Sequence, residues 1–358
     1  MGSAYGIMQA LATAFGGAFS GLACRMGEDS KIPKLEDVAE IAGVSSATVS
    51  RFFNNPGMVA AATAERIRAA VAQSHYVPNL MAGGLASSRS RLVAVMVPDI
   101  AQSIFNATVE AMVDELSVGG DIVMLGLTGI DNARMPHLIS AALARRADAI
   151  ILTGLLTDQA TRDLIRRRET TVIETWGLPE DPIDIAVGFS HRAVGQDIAR
   201  FVHGRGYRRP HLLSASGTRA MERRQGFLDD WASAGGATPT EQVFTSQTRF
   251  GHGRAAFRSL RELDERPDVV VCSSDWLAQG LLVEAMAAGV RVPDELAVVG
   301  FGNLTMAAEM RPTITTVDID GARIGREAVN VLRRRAAGEK IEQRHIDVGF
   351  RLMVRESA

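Results

Sequence analysis

Residues Leu35–Asn54, LEDVAEIAGVSSATVSRFFN, constrain the fold more than any other stretch of the chain. Leu35, Val38, Ala39, Ile41 and Ala42 recur at helical spacing, which predicts a short amphipathic helix over Leu35–Ala42. Gly43 can take a positive φ and end it, and Val44 can plug the angle between two helices. Ser45 then suits the N-cap of a second helix, Ser46–Phe53. Helix, glycine-bearing turn and helix make a helix-turn-helix, whose second helix enters a major groove. Val49 and Phe52 are expected to face inward, leaving Ser46, Ala47, Ser50 and Arg51 toward a partner. On geometry alone an ordinary helical hairpin with a solvated face fits as well.

A chain of 358 residues has room for two or three compact units. Its 46% hydrophobic and 22% charged residues exclude a disordered protein. Net charge is −2, so nucleic-acid binding must rest on a local patch. Between Lys31 and Arg91 seven Lys/Arg face four acids, a local +3 of the kind phosphate contacts need. Cys24 and Cys272 have no close metal-type partner, which points to a reduced, cytosolic setting and no disulfide. Residues 1–30 are apolar and lack the positive start of a secretory signal, and their glycines interrupt any spanning helix. They read as an extension of little structure.

From Leu92 the texture changes. LVAVMVP, DIVMLGL, DAIILTG, TTVIETW, PHLLSA, DVVVCSS and LAVVGFG are short buried strands, separated by amphipathic helices such as Ile104–Gly119 and His191–Gly204. This alternation predicts parallel sheets with helices on both faces. Ligands in such sheets sit beyond the carboxyl ends of the strands. The positions just after each run are Asp99, Thr153, Trp176, Phe189, Ser274, Asp275 and Asn303. An enzyme is not expected: no G-x-S-x-G precedes any serine, no cluster has zinc spacing, and Gly300-Phe301-Gly302 lacks the later glycine of a dinucleotide fingerprint. Neither a metal nor another cofactor is expected.

LEDVAEIAGVSSATVSR resembles the headpiece of lactose-repressor-type (LacI/GalR) transcription regulators almost position for position. The resemblance runs on through a third helix within Ala61–Tyr76, through HYVPN (His75–Asn79) and through MAGGLAS (Met81–Ser87). It continues over the rest of the chain in VGFS (Val187–Ser190), ERRQGF (Glu222–Phe227), SSDWLAQG (Ser273–Gly280) and VVGFGN (Val298–Asn303). The ETW (Glu174–Trp176), PIDIAVGFS and GFGN variants look most like the gluconate-utilisation repressors of that family.

The resemblance implies an all-α helix-turn-helix headpiece (31–79), a hinge helix and linker (80–91) and a two-lobed α/β core of the periplasmic-binding-protein type I fold (92–358). The lobes are expected to comprise 92–189 with 318–343, and 190–317 with 344–358. It further implies a cytoplasmic homodimer that reads pseudo-palindromic operator DNA under control of a small sugar or sugar acid, with no membrane partner. Ser46, Ala47 and Arg51 fall at the family's specificity positions, and Ser45, Thr48 and Ser50 are expected to set phosphate register. The DNA-contacting set extends to Asn54, Tyr76, Asn79, Leu85 and Ala86. Pro78 stops the third helix and Asn79 can cap a hinge helix over Leu80–Ala86, which is too short to stand alone in water. There Leu85 is implied to wedge into a minor-groove base step.

In the core, Arg223 of ERRQGF matches the family's effector arginine, and its planar fork can take a carboxylate or a vicinal diol. Ser274 and Asp275 would accept from hydroxyls, Trp176 and Phe189 would form an apolar wall, and Phe105 joins them as a candidate contact. The chain departs from the family at Ala60, which replaces a capping Ser; at Met58, where a DNA contact is usual; and at Ala64, where Arg is common. Gly302 and Trp176 both replace common acids. Losing two negative groups makes the cleft less hostile to an anion and favours a sugar acid such as gluconate. The rival for Leu92–Ala358 is a periplasmic sugar-binding protein without a regulatory role, which would not carry Leu35–Asn54.

Overall fold

The computed structural model describes residues 33–77, 90–100, 104–129, 131–154, 156, 158–168, 170–245 and 248–358. The chain divides into two compact units between Arg89 and Ser90.

The first unit holds three helices, α1 (Leu35–Ala42), α2 (Ser46–Asn54) and α3 (Ala61–Ser74). The Asp37 carboxylate accepts the Lys34 N–H at 2.7 Å and fixes the entry to α1. Gly43 closes that helix at φ 63°, a left-handed conformation that favours glycine. Ser45 Oγ accepts the Thr48 N–H at 3.2 Å and starts α2. Val38, Ala39, Ala42, Val49, Ile67 and Ala70 are buried together, with Phe52 and Val71 packed at the edge. Ile41 departs from expectation and faces outward, 45% exposed. Ala60 precedes α3 without a side-chain capping bond, and Ala64 is buried.

The second unit contains a six-stranded parallel sheet in the order β11-β5-β4-β3-β1-β2. Its strands are β1 (Leu92–Val97), β2 (Ile122–Leu127), β3 (Ala149–Thr153), β4 (Thr171–Thr175), β5 (Ile185–Gly188) and β11 (His345–Asp347). A four-stranded parallel sheet has the order β7-β6-β8-β9, from β6 (Pro210–Ala215), β7 (Thr240–Phe244), β8 (Val269–Cys272) and β9 (Ala297–Val299). β10 (Thr316–Asp318) and β12 (Arg351–Met353) pair antiparallel apart from both. β3 and β8 are buried throughout, and β1 from Val93 on, because parallel strands covered on both faces must be apolar along their length. One lobe assignment needs correction. His345–Asp347 pairs with β5, so these residues belong to the first lobe rather than the second.

The helices of this unit are α4 (Asn106–Val118), α5 (Met135–Ala144), α6 (Gln159–Arg168), α7 (His191–Gly204), α8 (Thr218–Ser233), α9 (Phe250–Leu260), α10 (Asp275–Ala287), α11 (Thr305–Glu309) and α12 (Gly321–Ala336). α7 and α8 touch backbone to backbone. A Cβ at Gly195 would fall on the Arg223 carbonyl, and one at Gly226 on the Arg192 carbonyl. Gly253 and Gly280 do the same for α9 and α10.

Candidate DNA-reading helix and effector cleft

On α2, Ala47 and Arg51 are exposed, four residues apart and therefore on one face. Ser46, Thr48 and Ser50 are half-buried beside them. Ser45 and Thr48 also bond each other through their hydroxyls at 2.9 Å. Tyr76, expected at the DNA, is instead buried in the headpiece core, its ring 6.1 Å from that of Phe53. The chain turns inward there because His75 takes a left-handed φ of 53° after α3. Asn79, Leu85, Ala86 and the side chain of Asn54 lie outside the described residues, as do residues 1–30.

The second unit contains a cavity of about 240 Å³ lined by Asp99, Phe105, Trp176, His191, Arg219, Arg223, Ser274, Trp276 and Phe301, among others. α8 supplies Arg219 and Arg223, α7 begins with His191, and Trp176 follows β4. Arg223 is tightly held. Its Nη1 donates to His191 Nδ1 at 2.9 Å, its Nη2 donates to the Ser273 carbonyl at 3.1 Å, and its guanidinium lies 3.7 Å over the Phe301 ring. A guanidinium cannot accept, so Nδ1 must, and the proton of His191 sits on Nε2. Nε2 donates to the Trp176 carbonyl at 2.8 Å. Burial, reinforced by Arg223 and Arg219, pushes the His191 imidazole well below its usual range and keeps it neutral.

Trp176 is locked as well. Its backbone is left-handed at φ 66°, and its indole N–H donates to Thr108 Oγ1 at 2.9 Å. Its ring meets Phe105 edge-on at 5.0 Å. Arg219 lies 5.1 Å over the other aromatic of that pair, Phe105. Burial lowers the Arg223 guanidinium to about 9 and Arg219 to about 10. At Arg223 the neighbouring Arg219 adds to the lowering, and at both residues Glu222 opposes it.

Five expected cleft residues, Asp99, Phe105, Trp176, Arg223 and Ser274, do line the cavity. Ser274 also caps α10, accepting the Leu277 N–H at 3.4 Å. Four others do not line it. Thr153 is buried and bonds Thr175 across the sheet at 3.2 Å. Phe189 is fully buried between Trp176 and His191, so it backs the wall rather than forming it. Asp275 is also fully buried, accepting from Thr316 Oγ1 at 2.6 Å and from the Leu304 N–H at 2.8 Å. Asn303 is spent between Asp318 and Arg355 at 2.9 and 2.7 Å. Thr153 ends β3, Phe189 follows β5 directly, Asp275 begins α10 and Asn303 lies four residues past β9, and each side chain is taken up by its own neighbours rather than by the cavity. Sequence reasoning missed His191, Arg219, Trp276 and Phe301. Only Arg219 carried a signal, its spacing of four residues from Arg223.

Comparison with known proteins places this geometry. Residues 34–79 match the bacterial regulatory proteins of the lacI family, and residues 199–358 match the periplasmic binding protein-like domain. The HTH-type transcriptional regulator GntR of Pseudomonas aeruginosa is 32% identical over 327 residues, covering 91% of this chain and 95% of that protein. The chain belongs to the lacI family. It is therefore a transcription regulator, and the curated relatives it matches are regulators rather than enzymes. The GntR regulator of Escherichia coli is 28% identical over 323 residues, covering 90% of this chain and 97% of that one. Among solved structures, a LacI-family regulator from Silicibacter pomeroyi aligns with a TM-score of 0.85 at 27% identity, covering 91% of this chain and 99% of that chain. The Lac repressor dimer bound to operator and the anti-inducer ONPF shares the fold, with a TM-score of 0.79 at 23% identity, covering 91% and 99% of the two chains. Among the described residues, no helix is long and apolar enough to cross a membrane.

Proposed function

We propose that this lacI-family member is a cytoplasmic, homodimeric repressor of carbohydrate-metabolism genes, controlled by a sugar acid such as gluconate bound in the cleft of the second unit. The carrying observation is the balance of charge in that cleft: two guanidinia, Arg219 and Arg223, against one lining carboxylate, Asp99. With a neutral sugar one net positive charge of that lining would stay unbalanced, whereas a ligand carboxylate offsets it. Phe105 and Trp176 supply the flat apolar wall that a polyhydroxy ligand packs against.

Homodimer formation is supported by an apolar surface on β2 and α4. Ile122, Leu125 and Leu127 are exposed on the edge strand β2, and Val113 and Val118 are exposed on α4. Two headpieces, each within 31–79, would read a pseudo-palindrome, with Ser46, Ala47 and Arg51 at the bases and Ser45, Thr48 and Ser50 at the phosphates. Residues 80–91 would couple the two units. Effector and DNA then bias one two-state equilibrium through their differential affinities. The match of residues 34–79 to a DNA-binding family argues against a sugar-binding protein without a regulatory role.

Calorimetric titration with gluconate and galactose tests the ligand class. Gluconate is expected to bind more tightly than galactose. Arg223→Ala should weaken it by roughly 30- to 4000-fold, the range for losing a buried charged hydrogen bond. A preference for galactose, or affinity indifferent to Arg223, would exclude a sugar acid.

A further inference from the structure

The two arginines of the cleft are not equivalent. They stand one turn apart on α8, with backbone positions separated by about 6 Å along the helix axis, so both heads leave the same face. Arg223 has committed donors to His191 and to the Ser273 carbonyl, and one face of its guanidinium to Phe301. It is a fixed object with little left to rearrange.

Arg219 is the opposite case. Its Nη1 is shielded from solvent and has no hydrogen-bond partner. Among the described residues it forms no ion pair, and its guanidinium stacks over Phe105. Glu222 attracts it only at a distance and is itself exposed. Arg219 lines both the main cavity and a small side cavity beside Gly154, Thr175 and Trp176, so its head stands where the two meet. An unmet buried donor destabilises the protein that holds it, and one on a cation more so. Burial moves the Arg219 guanidinium down to about 10, the same cost seen from the proton's side. Such a group becomes favourable once an anion reaches it.

We propose that Arg219 is the residue that selects an acid over a neutral polyol in this cleft, accepting the ligand carboxylate on its unpartnered Nη1, while Arg223 positions the hydroxylated chain. This rests on the sugar-acid reading and divides the labour within it. The main cavity alone holds two guanidinia and Asp99, +1 with His191 neutral, while Glu222 lines the side cavity with Arg219 and is exposed to solvent.

The probes are six-carbon aldonates, each paired with the alditol in which a hydroxymethyl replaces the carboxylate: gluconate with sorbitol, galactonate with galactitol. Wild type should favour the aldonate. Arg219→Gln should collapse that preference by at least about tenfold, while alditol affinity stays within about threefold. Arg219→Lys, which keeps the charge but not the fork, should fall between the two. Arg223→Gln should weaken aldonate and alditol together and keep their ratio. Thermal unfolding without ligand supplies the folding control and a second readout. Arg219→Gln, relieved of an unpaired buried cation, should melt no lower than wild type, whereas Arg223→Gln should melt lower. A preference that survives Arg219→Gln overturns the assignment of Arg219 and leaves the sugar acid standing. Wild type that favours neither aldonate over its alditol overturns both.

Discussion

His191 and Arg223 are joined side chain to side chain, with Arg223 Nη1 donating to His191 Nδ1 at 2.9 Å while His191 Nε2 donates to the Trp176 carbonyl at 2.8 Å. A neutral imidazole thus carries the position of a cleft cation on α8 to the backbone that follows β4 in the other sheet. One tautomer alone can do this, because the second would set two donors face to face.

Replacing His191 with Leu removes the seat of Arg223 without adding charge. A hydrogen bond to a charged group is worth about 1.5–3 kcal/mol. Effector affinity should fall roughly 10- to 150-fold, with operator affinity in the absence of effector unchanged. Calorimetry and a mobility shift on the same preparation check the two halves. Equal loss of DNA binding would mean that His191 supports the whole core rather than the cleft.

Gly195→Ala forces a methyl onto the Arg223 carbonyl where α7 and α8 touch. Overpacking of this kind costs about 1–3 kcal/mol, and more where backbone must move. Denaturant unfolding followed by tryptophan fluorescence should show the loss, since Trp176, Trp231 and Trp276 all lie in the second unit. Wild-type stability in Gly195→Ala would contradict the close crossing.

Much of this architecture was legible in the chain because buried parallel strands must be continuous apolar runs, and LVAVMV or DAIILT can be little else. β7, TEQVF, was not legible. It lies at a sheet edge with Thr240, Glu241 and Val243 exposed, so it has no apolar run to show. The partner of His345–Asp347 could not be read either, since pairing with β5 depends on where a chain returns and not on local pattern. In the cleft, Trp176 and Arg223 were found by motif, whereas Thr153, Phe189, Asp275 and Asn303, taken from the ends of the apolar runs, do not line the cavity. Arg219 was missed: it stands one helical turn from Arg223, but spacing says nothing of an unmet donor.

His211 offers a test by pH. Burial lowers its imidazole from 6.5 to about 4. Its Nδ1 lies 2.7 Å from Thr240 Oγ1, and its shielded Nε2 has no partner. Between these values the unfolded chain binds the proton and the folded one does not, so stability is lost as pH falls from 6.5 toward 4. The loss approaches about 1.4 kcal/mol per pH unit. Buried Asp275 and Glu174, whose carboxyls are pushed up, act in the opposite sense. Comparing wild type with His211→Gln cancels them. The stability difference between the two should shift steadily against wild type across this window, and a constant difference would rule out a neutral buried His211.

On the headpiece, Arg51 stands exposed at the end of α2 and can make a bidentate contact to guanine, worth about 1–3 kcal/mol of discrimination. Arg51→Ala should relax preference at one base pair per half-site, read by binding to operators substituted position by position. Uniform weakening across all sequences would assign Arg51 to phosphate instead.

The most direct test joins the two units. A pseudo-palindromic operator is selected from random DNA with the full chain, and its affinity is measured by fluorescence anisotropy with and without saturating gluconate. Specific binding is expected, with gluconate shifting the affinity about 5- to 150-fold in wild type. In Arg223→Ala the affinity should stay put at the same gluconate concentration. Failure to select any operator, or an operator affinity indifferent to every sugar acid offered, would contradict a ligand-controlled repressor.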